Sequence, residues 1–253
     1  MTDRAFSINE NGRSIRCRIY AGSVQTARVV IYGHGFAGHK ENRAAHRFAE
    51  KFISKHSDAA VIVFDWPCHG EDALKNLTLS DCDLYLNTVI EYARSHFGGV
   101  LFGYATSFGG YLFLKYILEH GDPFAFTALR NPAVDMGHIM RRTVMTEEDE
   151  RLLAKGKPVM AGFDRKIRIT ADLLKALEEN DILVGNFSEY SDAIMIIQGM
   201  KDEVVDAQTV KSFADANDIL LLPVEKADHR FSDPSLMDES ISSIIELFEL
   251  GME

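Results

Sequence analysis

The chain has 253 residues, 46% apolar and 26% charged, and its 27 lysines and arginines face 38 acids for a formal net charge of −11. That balance argues against nucleic acid and anionic membrane as partners, and no basic run is longer than Arg141-Arg142. No stretch approaches the roughly 18 apolar residues of a spanning helix, the first residues lack a signal-type apolar run, and three cysteines without a C-x-x-C pair suggest neither a disulfide framework nor a zinc ribbon, so a cytoplasmic chain with free thiols is expected.

Ala5 to Tyr20 alternates, with Phe6, Ile8, Ile15, Cys17 and Ile19 on one side of a turn at Asn11-Gly12, which predicts an antiparallel hairpin. Arg28 to Tyr32 is a continuous β-branched run, the pattern of a strand buried on both faces. It ends in GHGFAGHK. A helix is predicted over Asn42 to His56, then a buried strand over Ala59 to Phe64, ending in DWPCHGED, and a second helix over Cys82 to Phe97. Val100 to His120 reads as strand, turn and helix, and Phe124 to Leu129 as a further strand ending at Arg130-Asn131-Pro132. The alternation breaks over residues 133–190, where Glu147 to Lys155 and Thr170 to Asn180 are helical and Pro158 to Ile169 is mixed. It returns with strands at Ala193 to Gln198 and Ile219 to Val224 and helices at Ala207 to Asn217 and Pro234 to Leu250.

Alternating buried strands and helices predict an α/β fold, a mostly parallel doubly wound sheet opened by the hairpin, with its ligand site at the carboxyl ends of the strands. Residues 1–132 and 191–253 then form the core domain, and 133–190 a helical cap or lid inserted between two strands.

The polar residues just past those strand ends are His34, Asp65, His69, Ser107, Asp202 and His229. Ser107 lies in the string A-x-S-x-G-G, Ala105 to Gly110, at a predicted strand-to-helix turn. Small residues two before and two after the serine allow a turn so tight that the side chain is pushed out of the sheet. A serine on such a turn, an acid after a late strand and a histidine after the last strand follow the order Ser, Asp, His.

On these residues the chain resembles the α/β-hydrolase superfamily over nearly its whole length: the HGFAGHK loop, the D-x-x-x-H-G turn at Asp65 to Gly70, the elbow, the G-x-x-D-x-x-V segment at Gly199, Asp202 and Val205, and the H-x-F of His229 and Phe231. Within it the chain is most similar to small bacterial cinnamoyl and feruloyl esterases, which carry a similar HGF-x-GHK loop and an insertion of this size. Alanine replaces the first elbow glycine, and Gln198-Gly199 stands where His-Gly is usual, a change expected not to touch the chemistry. The valine of the acid segment stands one place later than in the commonest pattern.

The resemblance and the chemistry together imply a serine ester hydrolase, with a thioesterase or acyl-peptide hydrolase on the same triad, or a catalytically silent binding module of the same fold, as the alternatives. Ser107 is the nucleophile, His229 its base, and Asp202 the carboxylate that fixes the imidazole. Asp206, four residues on, is the competing acid and is better placed to cap the next helix. The backbone N–H groups of Phe36 and Phe108 form the oxyanion hole. A small-molecule ester is the expected partner, with no cofactor and no metal, and a homodimer stays open. His34, His39, His46 and His69 read as loop, helix and turn residues, and Asp65 as turn-forming. Arg130 and Asn131 either contact substrate or satisfy loop carbonyls. Phe163, Ile167 and Ile169 either line an acyl pocket or pack on the body.

Overall fold

The computed structural model describes residues 1–10, 12–22, 25–162 and 165–252. An eight-stranded sheet runs through it. The strands are β1 (Thr2–Glu10), β2 (Arg13–Ala21), β3 (Arg28–Gly33), β4 (Ala59–Phe64), β5 (Val100–Thr106), β6 (Phe126–Arg130), β9 (Ile194–Gly199) and β10 (Leu220–Val224), in the spatial order β1-β2-β4-β3-β5-β6-β9-β10. From β4 to β10 all pairs are parallel, while β2 pairs antiparallel with both β1 and β4.

In the opening hairpin Phe6 pairs with Cys17 and Ile8 with Ile15, so the apolar residues of both strands share the face that packs on the core. Its predicted turn begins at Asn11, which lies outside the described residues.

β4 is buried at every position, as a strand covered on both faces must be. On one face lie α1 (Arg43–Lys55) and α8 (Pro234–Leu250), whose Phe48, Phe52 and Phe248 pack on one another and on Tyr104. Burial of each such ring contributes about 1.5–3 kcal/mol. The opposite face carries α2 (Leu79–His96), α3 (Phe108–His120) and α7 (Ala207–Ala216). Helix α3 is buried from Phe108 to Ile117, so it is apolar nearly all round; Lys115 is tolerated there because its ammonium reaches Glu119 one turn on.

Strand β3 has β4 on one side and β5 on the other, so successive connections leave it in opposite directions. The carboxyl ends of β3 and β5 border the crevice that such a switch opens.

Between β6 and β9 lie α4 (Met136–Ile139), a π-helical turn (Met140–Val144), α5 (Glu147–Ala154), β7 (Val159–Ala161), β8 (Ile167–Ile169) and α6 (Ala171–Glu179). A capping box at Thr146 and Asp149 starts α5. The mixed stretch holds a two-stranded antiparallel ladder, β7 with β8. Ile167 and Ile169 are buried in the same apolar cluster as Val159 and Leu173, while Phe163 lies outside the described residues. Among the described residues no helix is long and apolar enough to cross a membrane.

Candidate active site

Ser107 stands between β5 and α3 with φ 52° and ψ −120°, a left-handed backbone that a residue with a Cβ adopts only under constraint. The constraint is visible on both sides. Its N–H donates to the Arg130 carbonyl at 3.1 Å, and its own carbonyl accepts from Tyr111 at 3.2 Å and Ala133 at 3.1 Å. A Cβ on Gly109 would sit 2.5 Å from the Gly33 carbonyl oxygen, and one on Gly110 2.8 Å from Pro132 Cβ. Alanine is accepted at position 105 because its register partner, Gly33, has no side chain: a Cβ there would lie 3.3 Å from Ala105 Cβ. Gly109→Ala is therefore expected to lower stability by about 1–3 kcal/mol, since the atoms it meets are backbone and cannot swing away; a urea titration reads the loss as a lower midpoint.

His229 follows β10 on a loop. Its Nε2 accepts from the Ser107 hydroxyl at 3.0 Å, and its Nδ1–H donates to Asp202 Oδ2 at 2.8 Å. The carboxylate is fully buried and held from its other side, where Oδ1 accepts the N–H groups of Val204 and Val205, each at 2.8 Å. Asp206, by contrast, caps α7 through the Thr209 N–H at 2.8 Å. Of the two acids only Asp202 meets the imidazole.

The expectation that Gln198 stands clear of this chain is corrected: its Nε2 lies 3.5 Å from Asp202 Oδ2 while donating to the Gly199 carbonyl at 3.0 Å. Asn131 was half seen. At φ 46° its amide nitrogen donates to the carbonyl of His229 at 2.9 Å, and its oxygen accepts from Gly199 N–H at 2.7 Å. One buried side chain thus ties the loop of the acid to the loop of the imidazole. It satisfies loop carbonyls, the second of the two readings.

The loop after β3 passes directly beside the serine: a Cβ on Gly35 would lie 3.2 Å from Ser107 Cβ. That places Phe36 next to the elbow, and its ring meets the Phe108 ring edge-on at 5.6 Å. Phe108 is the first residue of α3, where N–H groups lack partners within the helix. His69 packs between these two rings, 5.4 Å from Phe36 and 6.1 Å from Phe108.

Two histidines of the loops are buried and neutral. His34 donates from Nδ1 to the Gly35 carbonyl at 2.9 Å and His69 from Nδ1 to the Pro67 carbonyl at 2.8 Å. Burial lowers His34 to about 4 and His69 to about 3. Burial also raises Asp122 to about 6. The unfolded chain therefore holds two more protons on these histidines near pH 5 and one fewer on Asp122. The net uptake of one proton makes unfolding easier as pH falls, by about 1.4 kcal/mol per pH unit between roughly pH 6 and 4.5. Urea titrations at steps of half a pH unit check the slope, and His69→Gln is expected to flatten it.

The same loops are pinned by charge. Asp65 is fully buried; Oδ1 accepts the Lys40 N–H at 2.7 Å, Oδ2 accepts the Glu71 N–H at 2.8 Å, and Lys40 Nζ stands 3.4 Å from Oδ2 and 2.6 Å from Glu71. Gly70 is left-handed at φ 53°, and a Cβ there would fall on that carboxylate.

Two features lie apart from the serine. A cavity of about 730 Å³ between α2, α3, β8 and α6 is lined by Leu77, Lys115, Arg168 and Leu173 among others, none of them in the Ser107 chain. Asp83, Glu119 and His120 bring donor atoms within 4.8 Å of one another, but His120 already bonds Asp83 and Glu119 already bonds Lys115.

No family model and no curated protein matches the sequence. Solved structures do match. Est1E from Butyrivibrio proteoclasticus with ferulic acid bound superposes with a TM-score of 0.76 at 16% identity, covering 97% of this chain and 100% of that one. The mouse α/β hydrolase domain-containing protein 10 gives 0.73 at 18% identity, covering 97% and 98%. The chain has the α/β-hydrolase fold. An esterase of Pyrococcus furiosus, at 0.69 and 16% identity over 100% of this chain and 93% of that one, has the same architecture. In this fold the serine, the acid and the histidine stand on three separate carboxyl-end loops, after β5, β9 and β10.

Proposed function

We propose that the protein is a serine carboxylic-ester hydrolase working through an acyl-enzyme. The observation that carries this reading is the unbroken chain from Ser107 Oγ to His229 Nε2 at 3.0 Å and from His229 Nδ1 to Asp202 at 2.8 Å. A serine hydroxyl is a poor nucleophile until a base takes its proton, and here the base is already in contact. His229 accepts that proton as Ser107 Oγ attacks the ester carbonyl, and Asp202 stabilises the imidazolium and fixes its tautomer. His229 then gives the proton to the departing alkoxide. Water repeats the sequence on the acyl-enzyme and releases the acid. Charge developing on the carbonyl oxygen is met by the N–H groups of Phe36 and Phe108; one such donor typically supplies about 2.7–4 kcal/mol.

The rings of Phe36 and Phe108 beside the serine suit a flat acyl group, and the fold neighbour from Butyrivibrio proteoclasticus holds ferulic acid. We assign small to medium esters, hydroxycinnamoyl esters among them, as substrates, with residues 133–190 as the lid over them. The test is turnover of p-nitrophenyl esters of graded acyl length, methyl ferulate, an acyl thioester and an acyl-peptide anilide. Faster hydrolysis of the oxygen esters supports the reading. Preference for the thioester or the anilide reassigns the substrate, and no turnover of any by folded protein removes the hydrolase.

A further inference from the structure

Strand β1 is an edge of the sheet: among the described residues it pairs with β2 on one side and with no strand on the other. Ser7 lies opposite Arg16, whose carbonyl turns the other way to accept the Asp65 N–H at 2.8 Å. In an antiparallel ladder such a pair exchanges no hydrogen bonds, so the N–H and C=O of Ser7 point out from the sheet. With a period of two, those of Asp3, Ala5 and Asn9 do the same. Among the described residues no backbone hydrogen bond from outside the hairpin reaches any of them. An open edge of this length is a template for another strand unless something blocks it, and β1 has neither a proline nor a bulge in its register with β2.

The side chains narrow the choice of strand. Most charges of the hairpin are matched within the chain: Arg18 bonds Asp3 at 2.7 Å and Arg13 bonds Asp81 at 2.7 Å. Arg4 and Glu10, both exposed and near opposite ends of β1, have no ion pair among the described residues. The Arg4 guanidinium carbon lies 6.0 Å from the centre of the Phe6 ring, and Phe6 is half-buried beside Tyr92 with the rings 5.3 Å apart.

We propose that the edge is covered by a second copy of this chain, its β1 antiparallel to the first about a two-fold axis through Ser7. A two-fold axis perpendicular to the sheet sets each residue against one on the same face. Centred on Arg4, the two arginines would oppose each other; centred on Phe6, Arg4 would face the partner's Ile8. Centred on Ser7, Arg4 faces the partner's Glu10 and Glu10 faces the partner's Arg4, so each unpaired charge meets its opposite at both ends. The same register sets Phe6 against the partner's Ile8. It also makes hydrogen-bonded pairs of Ser7 with the partner's Ser7 and of Ala5 with the partner's Asn9, which uses the outward groups. A foreign strand would satisfy the backbone equally well; what points to this chain is that its own sequence supplies the matching charges. One strand pair is a small interface, so the dimer is concentration-dependent. The inference does not rest on the ester-hydrolase reading.

Sedimentation velocity of the full chain over a concentration series is expected to show a monomer–dimer equilibrium. Arg4→Glu sets like charges against each other at both ends of the pair and is expected to raise the dimer Kd at least about tenfold. Glu10→Arg is expected to do the same, and the two changes together to restore the wild-type value, a rescue that misfolding cannot give. Cross-linking reads the register in a Cys68→Ser background, which removes the half-exposed native thiol. Ser7→Cys, with its Cα about 5.5 Å from that of its copy, is expected to be joined to it by a short bismaleimide. Thr2→Cys, about 34 Å from its copy, is not. A chain that stays monomeric at every concentration, a dimer indifferent to Arg4→Glu, no rescue in the double variant, or Thr2→Cys cross-linking as readily as Ser7→Cys overturns the proposal.

Discussion

Replacing His229 by alanine is expected to lower kcat on an activated ester by about 10^6-fold, with KM little changed, because among the described residues His229 is the base bonded to Ser107 Oγ. The same measurement ranks the acids. Asp202→Asn is expected to cost about 10^4-fold, since an amide in place of the buried carboxylate favours the wrong imidazole tautomer. Asp206→Ala is expected to leave kcat unchanged and to cost about 1 kcal/mol of stability, the usual loss when a helix cap is removed. Steady-state kinetics on the three variants beside a urea titration separates these outcomes. A larger kinetic effect for Asp206 than for Asp202 would reverse the assignment of the acid.

The second large effect is structural. Asp65→Ala removes two backbone hydrogen bonds and leaves the buried Lys40 ammonium with the exposed Glu71 and Glu41 as its partners among the described residues. A loss of about 3–5 kcal/mol is expected, the range for breaking one side of a buried pair. Adding Lys40→Met to that variant is expected to recover part of the loss, since no buried charge is then left unpaired. Both loops pinned by Asp65 flank the elbow, so the single variant is also expected to lose kcat/KM as the Phe36 N–H drifts from its place. A double-mutant cycle measured by urea unfolding checks the coupling.

Much of the fold was legible because it rests on local patterns. Runs such as Ala59 to Phe64 are β-branched and fully buried, and their alternation with helices leaves few topologies open. Ser107, Asp202 and His229 could be picked out because each stands just past a strand end. Other features escaped for definable reasons. The strands β7 and β8 have three residues each, too few for a period of two to show. Helix α2 begins at Leu79, three residues before the apolar stripe suggested, because Thr78 caps it through the Asp81 N–H, a signal that periodicity does not weigh. β10 reads as an ordinary apolar strand yet is the sheet edge, where Leu220 is 52% exposed.

The parts of the site that sequence did not reveal depend on distant partners. Asn131 joins two loops about seventy and a hundred residues away in the chain, a contact that only the assembled sheet edge creates.

The most direct measurement of the central claim is covalent. Incubation with a fluorophosphonate, followed by peptide mass mapping, is expected to place a single phosphonyl group on Ser107 in the wild type and none in His229→Ala over the same interval. An unlabelled Ser107 in folded wild-type protein, or a label carried by another residue, would contradict the account.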